Sequence, residues 1–130
     1  MGPAAAKHGD RINAVDTHEV ILPTPPGGTT LLPHIFSGVI DNDLSGDVRI
    51  NGKAAAVAGS TATNDPHIPT PPGIGFVNAP KNLATIEEGS DSVRINGKPA
   101  ARNGDPAITC NDPSDERKGI VIAMSNVRIG

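Results

Sequence analysis

The chain has 130 residues, with 15 Gly, 13 Pro, two Phe and no Trp or Tyr, and 36% of its residues are hydrophobic. This length fits a single domain, residues 1–130, with few bulky core side chains, so a metal ion, partner subunits or strand closure are expected to support it. The net charge of −3 provides no basic surface for a phosphate backbone or an anionic membrane, which excludes nucleic acid as an expected partner.

The first ten residues, MGPAAAKHGD, lack a basic segment followed by an apolar run. We therefore expect no secretory signal and synthesis in the cytoplasm. No apolar run is longer than that at residues 120–124, and this length is far short of the roughly 20 residues of a membrane-spanning helix. Cys110 is the single cysteine, so it is a free thiol or a metal ligand rather than half of an intramolecular disulfide.

Helical periodicity is weak, whereas short β-branched runs bounded by turn residues are frequent. These runs predict strands at residues 19–22, 48–50, 93–95, 119–123 and 127–129. Asn-Gly follows two of them, at Asn51-Gly52 and Asn96-Gly97, and this dipeptide favours the two-residue type I′ turn of a β-hairpin. The sequence therefore predicts an all-β fold in which VRINGK is a strand, a tight turn and the start of a returning strand.

Two phrases repeat with nearly the same period. Residues 48–59 and 93–104 are identical at nine of twelve positions, 45 residues apart, and PTPPG at residues 23–27 recurs at residues 69–73. The last four residues, VRIG, are similar to the strand of a third copy, and residues 2–10 are similar to its returning arm. Together they predict a third hairpin and a closed, pseudo-threefold ring. The alternative is that VRIG is a chance tetrapeptide.

Each repeat places one possible metal ligand in the loop after its returning arm: His18, His67 and Cys110. Loops on one side of a threefold ring converge, so we expect these side chains to meet, with His34 of LLPH as a fourth ligand. Three imidazoles and a thiolate suit Zn²⁺, and four protein ligands close the site to water. The alternative is a set of scattered surface histidines. His8, inside the first returning arm, is predicted to be an exposed or packing residue.

Pro-Ala-Ala-Arg occupies residues 99–102 within VRINGKPAARNGD, which resembles the characteristic phrase of the PAAR-repeat family, and the resemblance extends over essentially the whole chain. It implies a small conical domain that caps the trimeric, VgrG-like β-helical spike of a contractile injection system. It also implies one structural zinc ion at the apex, bound by His18, His34, His67 and Cys110, and no enzymatic activity.

The same resemblance implies a tip made in the bacterial cytoplasm, assembled on the spike and ejected, with transient contact to a target-cell membrane and effector or toxin cargo as a further partner. Type VI secretion systems, extracellular injection particles and phage tails all need a tip that docks on a spike, so the sequence does not identify the kind of machine. The second repeat departs from the phrase, because Val57 stands where the third repeat has Arg102. Residues 60–92 are predicted as a long loop, either solvated or carrying an extra partner surface.

Two other functions stay open. A zinc hydrolase would use the three histidines His18, His34 and His67, with water as the fourth ligand and Asp16 or Asp65 as general base. Against it, Cys110 would be a spectator, and both aspartates are more simply turn residues. A small all-β module that binds peptide or sugar is the second alternative, but the near absence of aromatic residues removes the usual stacking platform.

Overall fold

The computed structural model describes residues 2–23 and 27–130, and their regular secondary structure is β throughout, as predicted. The strands are β1 (Arg11–Ile21), β2 (Thr29–Asn42), β3 (Arg49–Ile50), β4 (Lys53–Ala54), β5 (Thr61–Thr63), β6 (Gly75–Phe76), β7 (Leu83–Ile86), β8 (Arg94–Ile95), β9 (Lys98–Pro99), β10 (Pro106–Thr109) and β11 (Glu116–Ile122). Within this described part of the chain, no helix has the length and apolar character needed to cross a membrane.

Six antiparallel strands close into a barrel in the order β1-β2-β5-β7-β10-β11, and β11 pairs back onto β1. The longest pair is β1 with β2, whose register runs from Arg11 opposite Val39 to Ile21 opposite Thr29. The short strand β6 pairs with the last two residues of β1. Each barrel strand therefore has a neighbour on both sides along part of its length. β5 pairs with β2 only at the end of β2, from Val39 to Asn42, and β11 pairs with β1 only at the first three residues of β1.

The barrel interior is narrow and is filled mainly by small and branched side chains. Phe36, Ile12 and Ile40 are fully buried and pack against several buried alanines. Gly119 on β11 also requires a small residue, because a Cβ there would lie 2.9 Å from Cγ2 of Ile12. A barrel of this width needs few large side chains, which agrees with the composition.

The two Asn-Gly hairpins form as predicted. Asn51 and Gly52 have φ angles of 49° and 80°, and Asn96 and Gly97 have 52° and 79°, the positive values that a type I′ turn requires. In these hairpins Arg49 pairs with Ala54 and Arg94 pairs with Pro99. Ala4 pairs with Arg128 in the same antiparallel sense, so residues near the two ends of this sequence lie side by side.

Backbone hydrogen bonds connect the three alanine-rich segments in a closed circuit. The N–H of Ala6 donates to Ala101 O at 2.9 Å, the N–H of Ala101 to Ala56 O at 3.0 Å, and the N–H of Ala56 to Ala6 O at 3.0 Å. A second buried cluster packs beside the circuit and includes Ile50, Ile95, Ile129 and the neighbouring alanines. Residues 4–9, 48–59, 93–104 and 127–130 are called the hairpin ring below.

Several segments predicted as loops are strands. The strand predicted at residues 19–22 is only the end of β1, and residues 60–92, predicted as one long loop, contain β5, β6 and β7. His18 was predicted in a loop but lies on β1, and His34 lies on β2. Asp16, predicted as a turn residue, is buried within β1. The first PTPPG, at residues 23–27, falls largely outside the described residues.

The missed strands have a physical explanation. Around Asp16 on β1 and His34 on β2, the buried positions carry polar side chains. On the same stretch of β2, the apolar residues Leu31 and Ile35 are 53% and 72% exposed. The usual alternation of apolar inside and polar outside is therefore reversed here. A search for period-two hydrophobicity does not find strands of this kind.

Candidate metal centre

Four side chains from three parts of the chain meet inside the barrel, away from the hairpin ring. Asp16 and His18 lie two residues apart on β1 and share its inner face. His67 follows β5, and Cys110 directly follows β10. One donor atom from each of the four lies within 4.8 Å of the others, so this cluster could hold a metal ion.

The Oδ2 atom of Asp16 lies among the other three donors. It is 3.2 Å from Nε2 of His67, 3.6 Å from Sγ of Cys110 and 3.9 Å from Nε2 of His18. The Cys110 Sγ and His18 Nε2 atoms are 3.9 Å apart. In a tetrahedral zinc site, with Zn–N near 2.0 Å and Zn–S near 2.3 Å, neighbouring donor atoms are about 3.3 to 3.6 Å apart. Small movements would therefore bring these atoms around one ion.

Two buried polar atoms of the cluster have no hydrogen-bond partner among the described residues: Oδ1 of Asp16 and Nδ1 of His18. Asp16 is fully buried and His18 is 2% exposed. An unpaired buried polar atom costs about 1 to 3 kcal/mol, and a buried carboxylate costs more unless a positive charge lies beside it. A bound cation would supply that charge, so the donor set fits a metal.

His34 lies beside the cluster but outside the group of four. Its ring centroid is 5.4 Å from those of both His18 and His67, which are themselves 5.1 Å apart. The Nδ1–H of His34 donates to Leu32 O at 2.9 Å, and its Nε2 accepts from the N–H of Thr70 at 3.1 Å. His34 could therefore bind a metal through Nε2 only by giving up the Thr70 bond.

Backbone and side-chain bonds fix Cys110 next to β1. The N–H of Asp112 donates to Thr17 O at 2.8 Å, and Oδ2 of Asp112 accepts from the N–H of Glu19 at 2.8 Å. These bonds lie on both sides of His18 along β1, so they hold the segment after Cys110 against it. The Oδ2 atom of Asp112 is also 3.7 Å from Nδ1 of His18.

A different anchor positions His67. Its N–H donates to Oδ1 of Asn82 at 3.1 Å, and the N–H of Asn64 donates to the carbonyl of Asn82 at 2.9 Å. Asn82 has a φ of 59°, a left-handed conformation that Asn adopts more readily than most residues. This residue therefore connects the segment carrying His67 to the start of β7.

The two histidines of the cluster and the neighbouring His34 have differently shifted pKa values in the chain without metal. Burial lowers the pKa of His18, and the charge of His67 lowers it further. Burial also lowers the pKa of His34. The hydrogen bond to Asp16, followed by the one with Cys110, raises the pKa of His67 to about 9. At neutral pH a metal must therefore displace a proton from His67, whereas His18 and His34 are already neutral.

The four predicted ligands thus differ in their position relative to the cluster. The structure brings together His18, His67 and Cys110, with His34 adjacent. Asp16 was predicted only as a turn residue or a general base, and its place among the donors was missed. The available signal was the spacing Asp16-x-His18, because alternate residues of a strand share a face. That signal could not be used because no strand was predicted at these positions.

The other two residues considered from the sequence lie outside the cluster. His8 is exposed, in agreement with its predicted role, and Asp65, the second candidate base, is exposed as well.

The family model described as the PAAR motif matches residues 2–113, nearly the whole chain. A search of curated proteins gives no significant match. Proteins with this motif are structural spike tips of type VI secretion-like systems rather than enzymes; they bind the VgrG spike and are secreted at its tip. By the extent of the match, the chain is a member of the PAAR motif family.

Proposed function

We propose that this chain caps a trimeric VgrG-type spike. In this proposal the hairpin ring is the base that docks on the spike, and the metal cluster stiffens the part of the barrel away from the ring. The placement of the ring and the cluster carries this proposal. Residues 10, 60 and 105 leave the ring directly before β1, β5 and β10. The cluster residues lie further along these same three segments. The ring therefore lies at the start of these three segments and the cluster further along them. This arrangement supports docking through the ring and stiffening of the rest of the barrel by the cluster.

We infer that the base has pseudo-threefold symmetry. The closed circuit of Ala6, Ala56 and Ala101 supports this inference, because each alanine donates to one partner and accepts from the other. The isolated bridges repeat a second relationship around the ring: Ala5 with Arg102, Lys7 with Ala55, and Val57 with Ala100. A three-chain spike offers three equivalent edges, and three similar hairpins could pair with all of them by extending their β-structure. The expected stoichiometry is one tip per spike trimer.

We propose one structural Zn²⁺ bound by His18, His34, His67 and Cys110, with Asp16 as the counter-charge beside it. Zinc prefers imidazole and thiolate ligands, and the three rings surround the position of the cluster. A dication, a thiolate and the Asp16 carboxylate sum to zero charge, which lowers the cost of burying the ion. Bound zinc would cross-link segments that are distant in the sequence and stiffen the end of the barrel.

The metal proposal is tested by elemental analysis of the chain purified without added metal, with about one zinc per chain expected. Cys110→Ser should lose the metal and melt at a lower temperature. His8→Ala is the matched control, because it removes an exposed histidine outside the cluster. Absence of metal from the wild type, or equal binding by Cys110→Ser, would contradict the proposal.

The docking proposal is tested by co-purification with a VgrG-type spike protein, with a ratio of one chain per three spike chains expected. Val93→Asp and Val127→Asp place a charge on partly exposed positions of the hairpin ring, each 37% exposed, and should weaken binding. Ile68→Asp is the control, because this residue is 84% exposed and adjoins His67, away from the ring. A ratio of one to one, or a stronger effect of Ile68→Asp, would overturn the assignment of the base.

In this role the tip is assembled on the spike in the cytoplasm and leaves the cell with it, crossing a target-cell membrane transiently. The work is mechanical and needs a rigid end rather than a catalytic group. An effector or toxin cargo would be carried on a surface outside the docking base.

A further inference from the structure

One surface cleft leads to the metal cluster from the side. It has a volume of about 510 Å³ and lies between the segment after β6 and the segment after β10. Both His18 and Cys110 form part of its wall, although they are 2% and 3% exposed. The cleft therefore connects the solvent with two of the cluster side chains.

The chemistry of this cleft suits a cation. Asp112 and Asp115 line it, and Oδ2 of Asp112 is 3.7 Å from Nδ1 of His18. This nitrogen is one of the two buried side-chain atoms without a hydrogen-bond partner among the described residues. A cation in the cleft would thus meet carboxylate oxygens first and then the His18 ring, whose other nitrogen, Nε2, lies 3.9 Å from both Asp16 Oδ2 and Cys110 Sγ in the cluster.

A second cleft, of about 590 Å³, reaches the cluster from the other side and is lined by His34, His67 and Ile68. Its wall also contains Asp65, which offers an exposed carboxylate, but among the described residues it has no buried, unpaired imidazole nitrogen like Nδ1 of His18. Both ring nitrogens of His34 have partners, in Leu32 and Thr70, and Nε2 of His67 donates to Asp16. Entry from this side would require breaking an existing hydrogen bond before one of these imidazole nitrogens became available.

An ion pair spans the mouth of the first cleft. Lys81 Nζ lies 2.7 Å from Asp115 Oδ2, joining its two sides, and these side chains are 65% and 41% exposed. Exposed pairs of this kind are weak, so this one can break and re-form without disturbing the barrel.

We propose that this cleft is the route by which a divalent cation enters and leaves the buried cluster, and that the Lys81–Asp115 pair restricts its mouth. The inference rests on the proposed metal site and adds how that site is loaded. Filling the cleft should slow metal exchange, and removing the ion pair should accelerate it. Neither change should alter the number of metal ions bound, because the cluster side chains stay in place.

The test uses the full-length chain loaded with zinc and mixed with an excess of a colorimetric chelator. Ala79→Trp fills the first cleft and should slow zinc release about fivefold, and Lys81→Ala should speed it by a similar factor, which corresponds to a modest change in barrier. Ile68→Trp is the matched control in the second cleft and should leave the rate unchanged. Melting temperatures of the zinc-bound variants identify any that fail to fold.

The outcomes separate this inference from the metal site itself. If the wild type binds no zinc, the proposed metal site fails and the entry route with it. If the wild type binds one zinc but Ala79→Trp and Lys81→Ala both release it at the wild-type rate, the entry route is wrong while the site stands. Slower release from Ile68→Trp alone would assign the route to the second cleft instead.

Discussion

The Nε2–H of His67 donates a hydrogen bond to Oδ2 of Asp16 across 3.2 Å, joining residues 51 positions apart in the sequence. This bond is the main reason that the pKa of His67 is raised to about 9. We predict that Asp16→Asn, in the metal-stripped chain, returns the His67 pKa toward 6.5. NMR titration of the imidazole resonances measures the pKa of His67. Asp65→Asn, which changes an exposed carboxylate, is the control. Titration near 9 in Asp16→Asn would contradict the assigned cause.

A pH dependence of stability follows from the same pair. The folded-state pKa of His67 lies above its ordinary value, so its contribution to stability is fully present below pH 6.5 and is lost as the pH rises to about 9. We predict that the metal-stripped chain melts at a lower temperature at pH 9 than at pH 6.5, and that Asp16→Asn reduces the difference. Zinc binding should reverse the trend, because protons compete with the metal for His67. Calorimetry with and without zinc measures how the melting temperature changes with pH in each case.

His34 and Asp16 are the two candidates for the fourth metal ligand of the proposed site. Their substitutions should therefore have different effects on zinc binding. His34→Ala removes a ligand and is expected to leave less than one zinc per chain. Asp16→Asn is expected to keep one zinc but to weaken its affinity about 10- to 100-fold, the usual effect of losing a residue that supports the ligands. Chelator competition and elemental analysis measure both. The reverse pattern would make Asp16 the ligand and His34 its support.

The three isoleucines of the hairpin ring should contribute similarly to stability if the ring is pseudo-threefold. Ile50, Ile95 and Ile129 are 5%, 8% and 5% exposed and pack in the same cluster. Substitution of each by Ala is expected to reduce the free energy of unfolding by about 2 to 5 kcal/mol. Ile122→Ala, at a position that is 45% exposed, is the control and should have a much smaller effect.

Deletion of residues 127–130 extends this test. It removes Ile129, its backbone bond to Pro3 and the bond from Ala5 to Val127. The deletion should therefore destabilise the fold at least as much as Ile129→Ala and should weaken spike binding. Chemical denaturation gives the comparison. A truncated chain with unchanged stability would show that VRIG is not a structural part of the ring.

Two glycines offer a contrast in backbone packing. A Cβ at Gly89 would lie 2.5 Å from the carbonyl oxygen of Ala100, a backbone atom that cannot rotate away, whereas a Cβ at Gly46 would have no atom within 4 Å. Gly89→Ala is therefore expected to lower the melting temperature clearly. Gly46→Ala is expected to leave it nearly unchanged. Equal effects in thermal unfolding would mean that the close approach at Gly89 is not required.

The parts of the fold that the sequence predicts well are those with local signals. Asn51-Gly52 and Asn96-Gly97 define their turns through backbone preference alone, and the all-β character follows from short β-branched runs. The long strands β1 and β2 were largely missed because the side chains buried near their cluster end are Asp and His. Hydrophobic periodicity is a measure of burial, so it fails where a polar cluster occupies the interior.

For the candidate site, the repeat period led to His18, His67 and Cys110, which the structure brings into contact. The repeat did not lead to Asp16, because its importance depends on sharing a strand face with His18. It also gave no information on Asp112, whose contacts with Glu19 and His18 depend on the pairing of the segment after Cys110 with β1. These relations are set by three-dimensional register rather than by spacing.

The circuit of Ala6, Ala56 and Ala101 and the pairing of Ala4 with Arg128 also constrain how the chain reaches its folded state. Each needs segments from distant parts of the sequence, so neither can close while the later residues are still within the ribosome. Contacts over such long sequence separations make folding slow, because loop-closure entropy must be overcome first. The hairpins around Gly52 and Gly97 can form early, but the hairpin ring is completed only after residues 127–130 have left the ribosome. Binding to a spike through this ring should consequently begin only after that point in synthesis.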